Sequence, residues 1–243
     1  PESKMYWRRL YLVKRVQVEM VRDRGYDIET EANLLDASFN QFIDYYSNIA
    51  SNYRPPVPVR TMFSRGYRNP STGASLLVYY IPDSTSDSVG KEGITPFIDI
   101  VDSTSYDSFI LITNNCLTPA SLDSIKSKSR PIEKFMDDEL IINPTSHNSV
   151  PFHEALSDQE KHSLLERNKW SVVNLPKLHP DDPIARYYGF KVGTVVRIHR
   201  FNPISGTMAD NSLYYRIIPD PSVIASIRAD NDGDDAIGDE EGY

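Results

Sequence analysis

The sequence contains one cysteine in 243 residues, Cys116, which excludes an internal disulfide framework and any zinc knuckle built on cysteines. No uninterrupted apolar run approaches the ~20 residues that a membrane-spanning helix needs. No basic stretch leads into an apolar one, so nothing reads as a secretory signal. The glycine patterns that cradle phosphates or dinucleotides are missing, as are GxSxG and HExxH. The five histidines, His147, His153, His162, His179 and His199, fall in different predicted elements and read as structural or surface groups. Cys116 reads as a small hydrophobe at a strand end.

An excess of one charge is also missing once the tail is set apart. Residues 230–243 carry seven acids (Asp230, Asp232, Asp234, Asp235, Asp239, Glu240, Glu241) and no base. The chain has 34 acids and 26 bases, so removing those seven leaves 27 against 26. The net charge of −8 therefore belongs to the tail, which reads as a disordered acidic segment. The near-neutral body lacks the basic balance of a free-standing nucleic-acid binder.

What is present reads as two modules. Residues 5–24 predict an amphipathic helix with Tyr6, Leu10, Val13, Met20 and Val21 on its inner stripe and Lys14, Arg15, Glu19 and Arg22 elsewhere, ended by Gly25. Ser38 can cap a second helix whose Phe39, Phe42, Ile43 and Tyr46 share a side. Residues 51–75 read as irregular surface. The runs 74–81, 96–101, 109–114 and 139–143 read as strands, with 82–95 as a polar loop. Thr118-Pro119 predicts the start of a short helix to about Lys126. This is an α/β module over residues 1–143, followed by a polar linker at 144–151 with proline at both ends.

Beyond the linker, Ser157-Asp158-Gln159-Glu160 is a capping box opening a helix to about Asn168. Asp182 and Pro183 start another helix that Gly189 can end. Strands at 194–200 and 213–218 are joined by a loop turning at Ser205-Gly206. Residues 152–219 thus form a small mixed α+β domain, followed by the tail at 220–243. The fold class is a two-domain α/β and α+β chain.

An enzymatic alternative is a metal-dependent nuclease on the first module, with Asp99 as an acid on a core strand. Its partner, an acid-x-Lys on the next strand, is missing; that spacing occurs only at Glu2-Ser3-Lys4.

Residues 175–200 read LPKLHPDDPIARYYGFKVGTVVRIHR. Leu175-Pro176, Asp182-Pro183, Ala185, Tyr188-Gly189, Gly193, Val195-Val196 and Arg200, followed by Tyr215-Arg216, closely resemble the signature of the shared assembly subunit of eukaryotic nuclear RNA polymerases, the fifth subunit, which has an archaeal homologue. EMVRDRGY from Glu19, NNCLTPAS from Asn114 and LSDQEKHSLLER from Leu156 resemble other motifs of that family in the same order. The resemblance implies an N-terminal α/β jaw domain, with a nuclease-like sheet, near downstream double-stranded DNA. It also implies a C-terminal assembly domain bound to the largest subunit and to neighbouring small subunits. The chain would be a non-catalytic nuclear subunit, nucleolar if dedicated to polymerase I, with no cofactor or membrane partner and no homo-oligomer.

The polymerase interface would include Pro183, Arg186, Tyr187, Gly189, Gly193, Arg197, Arg200, Tyr215 and Arg216. Thr118, Pro119, Ala120, Ser121 and Lys126 would lie near DNA, the helix start offering backbone N–H groups to a phosphate. Arg60, Arg65, Arg68, Lys128 and Arg130 are further candidates for phosphate contacts. The chain departs from the family pattern between residues 47 and 95, in the long loop 201–212 with Thr207 in place of a common base, and in the acidic tail.

Overall fold

The computed structural model describes residues 4–52, 58–84, 86–201 and 208–220, with the side chains of 51, 200, 201 and 208–212 outside that description. The Ser205-Gly206 turn, Thr207, the Arg200 side chain and the tail beyond residue 220 thus lie outside the described residues. The chain forms two compact units, Pro1–Asn143 and Pro144–Tyr243.

The first unit opens with α1 (Lys4–Asp23), α2 (Asn33–Asp36) and α3 (Phe39–Asn52). Gly25 takes a φ of +83° just past α1, as the left-handed position there requires. Ser38 caps α3 reciprocally: the Gln41 N–H donates to its Oγ at 3.4 Å, and its own N–H donates to Gln41 Oε1 at 2.8 Å.

The sheet follows as β1 (Arg65–Arg68), β2 (Ser75–Tyr80), a short β3 (Ser88–Val89), α4 (Lys91–Ser103), β4 (Ser108–Thr113), β5 (Cys116–Leu117), α5 (Pro119–Lys126) and β6 (Ile132–Met136). Its order is β1-β2-β4-β6, with β2, β4 and β6 parallel and β1 antiparallel at the edge. Leu77, Phe109 and Leu111 pack against Ile94, Phe97 and Val101 of α4 and Ile125 of α5. The alternate residue Tyr80 faces α1, where its hydroxyl donates to Gln17 Oε1 at 3.3 Å.

Four expectations change here. Residues 96–101 are helical, not a strand: Ile94, Phe97 and Val101 are buried at helical spacing while Asp99 is exposed. A six-residue apolar run does not separate strand from helix; the window from Lys91 to Ser103 does. The polar loop therefore ends at β3 and the start of α4, well before residue 95. Residues 139–143 are not a strand either, because the chain has already paired as β6 and turns through the 3-10 segment Asp137–Leu140. The 51–75 segment contains a 3-10 turn, Val59–Phe63, and edge strand β1.

The inner face of α1 is also less apolar than the stripe suggested. Lys14 and Gln17 are both 0% exposed. Lys14 Nζ lies 2.9 Å from Glu31 Oε1 and donates to Gln17 Oε1 at 2.8 Å. Cys116 is exposed on β5, not packed as a core hydrophobe.

The second unit contains β7 (Phe152–Ala155), α6 (Asp158–Asn168), α7 (Pro183–Tyr188), β8 (Val195–Phe201) and β9 (Met208–Ile217). The three strands form an antiparallel sheet in the order β7-β8-β9. Adjacent β8 residues point to opposite faces. Val195, with Ile217, packs under Leu164 of α6; Val196 and Ile198 pack with Ala185 of α7, Leu178 and Ile218. Both helices begin at the side chains the sequence predicts. Ser157 Oγ accepts from the Glu160 N–H at 3.3 Å, and Asp182 Oδ1 accepts from the Ile184 N–H at 2.8 Å. Gly189 ends α7 at φ +67°. The polar residues Pro144–Ser146 form a 3-10 turn packed on α7.

Candidate functional site

Antiparallel pairing aligns side chains in rows on one face of the second unit's sheet. Phe152, His199 and Leu213 are direct cross-strand partners, and so are Glu154, Arg197 and Tyr215 in the next row. The third row, Val195 and Ile217, lies beneath α6. The helix reaches the second row only in part, its Glu160 lying 3.5 Å from Arg197. Phe152 is 55% exposed and Leu213 41%, so an apolar row faces outward at this end of the sheet. The Phe152 and His199 rings lie 5.4 Å apart, and Trp170, also exposed, sits 6.0 Å from the Tyr215 ring.

The polar row is internally paired. Arg197 donates to Glu154 Oε2 from Nε at 3.0 Å and from Nη2 at 2.8 Å, and lies 3.5 Å from Glu160. His199 Nε2 is 3.3 Å from the same Glu154 oxygen. The Arg197 hydrogen bond, with a smaller contribution from His199, holds the Glu154 carboxyl below its ordinary pKa, and Glu154 in turn raises that of Arg197. Between this row and α6 lies a groove of about 350 Å³ lined by Leu156, Glu160, Leu164, Arg167, Arg197 and Tyr215. An apolar row beside an Arg and a Tyr has the residue types that interface cores favour, which suits contact with another protein.

The remaining interface candidates divide by burial. Pro183 is exposed at the first position of α7 and Arg186 is half-buried on it. Tyr187 is 2% exposed on α7, so its ring offers a partner little surface in this conformation. Gly189 and Gly193 hold left-handed turns, and the Gly193 carbonyl accepts from Lys161 Nζ at 2.8 Å. Arg216 Nη1 donates to the Lys177 carbonyl at 3.1 Å, tying β9 to the stretch before α7. The structure thus places Arg197 and Tyr215 on the outward sheet face, Pro183, Arg186 and Tyr187 on α7, Gly189 and Gly193 in turns, and Arg216 on β9. Phe152, Leu213 and Trp170 were missed; the alternation in Phe152-His153-Glu154-Ala155 after Pro151 was the available signal for β7.

In the first unit, Thr118 caps α5 by accepting from the Ser121 N–H at 3.3 Å, while Ser121 Oγ donates to the Val89 carbonyl at 2.9 Å and is buried. Pro119 has no N–H, and the Leu122 N–H is bound to the Thr118 carbonyl, so the Ala120 N–H is the donor left at this helix start. Ala120, Pro119 and Lys126 are exposed. Three phosphate candidates are committed elsewhere. Arg60 is 0% exposed and bound to Asp137, and Lys128 Nζ donates to Asp102 at 2.6 Å. Arg130 Nη1 donates to the Thr104 and Tyr106 carbonyls, with its guanidinium 5.2 Å from the Phe109 ring centroid. Arg65 and Arg68 on β1 remain exposed. Asp99 lies on the solvent side of α4, so the nuclease alternative loses its core-strand acid.

Residues 4–100 match the family described as RNA polymerase Rpb5, N-terminal domain, and residues 142–218 match RNA polymerase Rpb5, C-terminal domain. The chain is similar to DNA-directed RNA polymerases IV and V subunit 5B of Arabidopsis thaliana, at 30% identity over 81% of this chain and 85% of that protein. It is 28% identical to DNA-directed RNA polymerase V subunit 5A of the same organism, over 86% of this chain and 88% of that one. It is also 28% identical to DNA-directed RNA polymerases I, II, and III subunit RPABC1 of Caenorhabditis elegans, over 82% of this chain and 92% of that protein.

Proposed function

This chain belongs to the RNA polymerase Rpb5 family, and from that premise we propose that it is a non-catalytic subunit of a nuclear DNA-directed RNA polymerase. The observation that carries the reading is the match of both halves of one subunit family, in order, along a single chain. In this reading nucleotidyl transfer takes place on other chains, and this one contributes geometry.

The second unit docks on the largest subunit and adjoining small subunits through the outward sheet face. Phe152 and Leu213 supply apolar contact, while Arg197 and Tyr215 hold the adjoining row. The first unit serves as the jaw, with Lys126, Arg65 and Arg68 as exposed cations for non-specific phosphate contact and the Ala120 N–H as a further donor. A module held in place by protein contacts needs little net charge to remain beside DNA, and residues 1–229 carry almost none.

The test of the docking face is co-purification of the largest subunit with tagged full-length chain bearing Phe152→Asp and Leu213→Asp. Both residues are exposed, so the variant is expected to fold, which circular dichroism of the purified chain checks. The expected result is loss of more than nine-tenths of the recovered largest subunit, as two charges placed in an apolar contact each cost on the order of 2 kcal/mol. Unchanged recovery would remove this face from the interface.

A further inference from the structure

The interior of the first unit holds two full ion pairs. Arg60 and Asp137 are 0% and 1% exposed, with Arg60 Nη1 donating to Asp137 Oδ2 at 2.7 Å and Nη2 to Oδ1 at 2.5 Å. Lys14 and Glu31 are 0% and 5% exposed, with Nζ and Oε1 2.9 Å apart, and the Tyr67 hydroxyl donates to the other Glu31 oxygen. Charges removed from water this completely are held only by their partners. Arg60 Nε has no partner among the described residues, so that guanidinium depends on Asp137, with Asp83 3.9 Å away.

The pairs converge on one side chain. Lys14 Nζ lies 5.8 Å and Arg60 Cζ 5.6 Å from the centroid of the Tyr80 ring, both within reach of a cation–π contact. The Tyr80 hydroxyl donates to Gln17 Oε1, which also accepts from Lys14 Nζ at 2.8 Å. Gln17 Nε2 in turn donates to the Tyr67 hydroxyl at 3.0 Å. A continuous set of contacts therefore runs from Asp137 through Arg60, Tyr80, Gln17 and Lys14 to Glu31. It joins α1 and β2 to the 3-10 turns Glu29–Glu31, Val59–Phe63 and Asp137–Leu140.

We propose that these two buried ion pairs form a single cooperative clasp, coupled through Tyr80, that sets the placement of the Glu31 and Arg60 turns against α1 and β2. Two like charges share the ring, so each cation is tolerated only while its own carboxylate is present. When Asp137 loses its charge, Arg60 is left with only the more distant Asp83 carboxylate, and Tyr80 can no longer stay in register with both Arg60 and Gln17. The disturbance reaches Lys14 and Glu31 by that route. Coupling of this kind, between groups of one hydrogen-bonded set, is the case in which effects of substitution fail to add.

Amide exchange followed by mass spectrometry on the full-length chain tests this. Asp137→Asn is expected to speed exchange at residues 28–36 about tenfold more than at residues 109–112 in the sheet core. In a Tyr80→Leu background the same change is expected to leave residues 28–36 no faster relative to 109–112 than Tyr80→Leu alone does. Should Asp137→Asn not fold, Arg60→Lys, which keeps the charge and loses the paired hydrogen bonds, is expected to give the same regional pattern at smaller amplitude. Faster exchange confined to residues 58–63 and 137–140 would overturn the proposal, as would an equal rise across residues 28–36 and 109–112.

Discussion

Raising the pH probes the interior of the first unit without altering a residue. Tyr46, Tyr67 and Tyr80 are 4%, 5% and 0% exposed. Burial, chiefly, pushes all three phenols above their ordinary pKa, and the Glu31 charge adds to the shift in each. An unfolded phenol ionises near pH ~10. A group whose folded pKa is raised contributes stability that is complete below the unfolded value and is lost as the pH climbs toward the folded one. Each of the three therefore removes ~1.4 kcal/mol per pH unit above ~10, or about 4 kcal/mol together. At about 4 kcal/mol per pH unit, a domain stability of ~5–15 kcal/mol is exhausted between roughly pH 11 and 14. Lys14 acts with the opposite sign. Burial lowers its pKa, so the unfolded chain binds the extra proton up to pH ~10.4, and this group's contribution improves with rising pH until then. The assay is tyrosinate absorbance at 295 nm recorded with far-UV circular dichroism. The chain has 15 tyrosines. Tyr46, Tyr67 and Tyr80 are expected to ionise in a cooperative step coincident with loss of ellipticity. One smooth titration of all the tyrosines, with the ellipticity intact, would refute the reasoning.

Two further predictions concern helices. Asp182→Ala removes the acceptor for the Ile184 and Ala185 N–H groups at the start of α7, and is expected to destabilise the second unit by ~1–2 kcal/mol in urea unfolding. Pro96 sits inside α4 with its side chain exposed and cannot donate to the Glu92 carbonyl; Pro96→Ala is expected to stabilise the first unit by ~2 kcal/mol, measured the same way, after allowance for the freer unfolded chain.

The helix boundaries that the sequence revealed are those written in local chemistry. Thr118-Pro119, Ser157 with Glu160, and Asp182-Pro183 with Gly189 each carry their cap within a few residues, and α5, α6 and α7 begin or end there. Apolar runs were less informative. β2 and β4 lie where their runs predict, but 96–101 has the same texture and is helical because its wider window has helical spacing. β6 and β7, short and half polar, offered little hydrophobic signal. Long-range partners left no trace at all. Lys14 looked like a solvent-facing residue until Glu31 and Tyr67 were brought beside it by the tertiary fold. The same holds for the candidate sites. Arg197 and Tyr215 stand on the outward sheet face, whereas Tyr187 is buried, a distinction that residue type and local spacing do not carry. Arg60 illustrates the converse: a base in a polar, proline-rich stretch reads as surface, yet Asp137, 77 residues on, takes it into the core.

The most direct test of the central claim is affinity purification of the tagged full-length chain from nuclear extract, at salt mild enough to keep polymerases intact, with mass spectrometry of what co-purifies. The account predicts recovery of the two large subunits of a DNA-directed RNA polymerase at near-equal stoichiometry with this chain. One kind of largest subunit would identify a dedicated copy, and several would identify a shared one. Recovery of the chain without any large polymerase subunit would contradict the account.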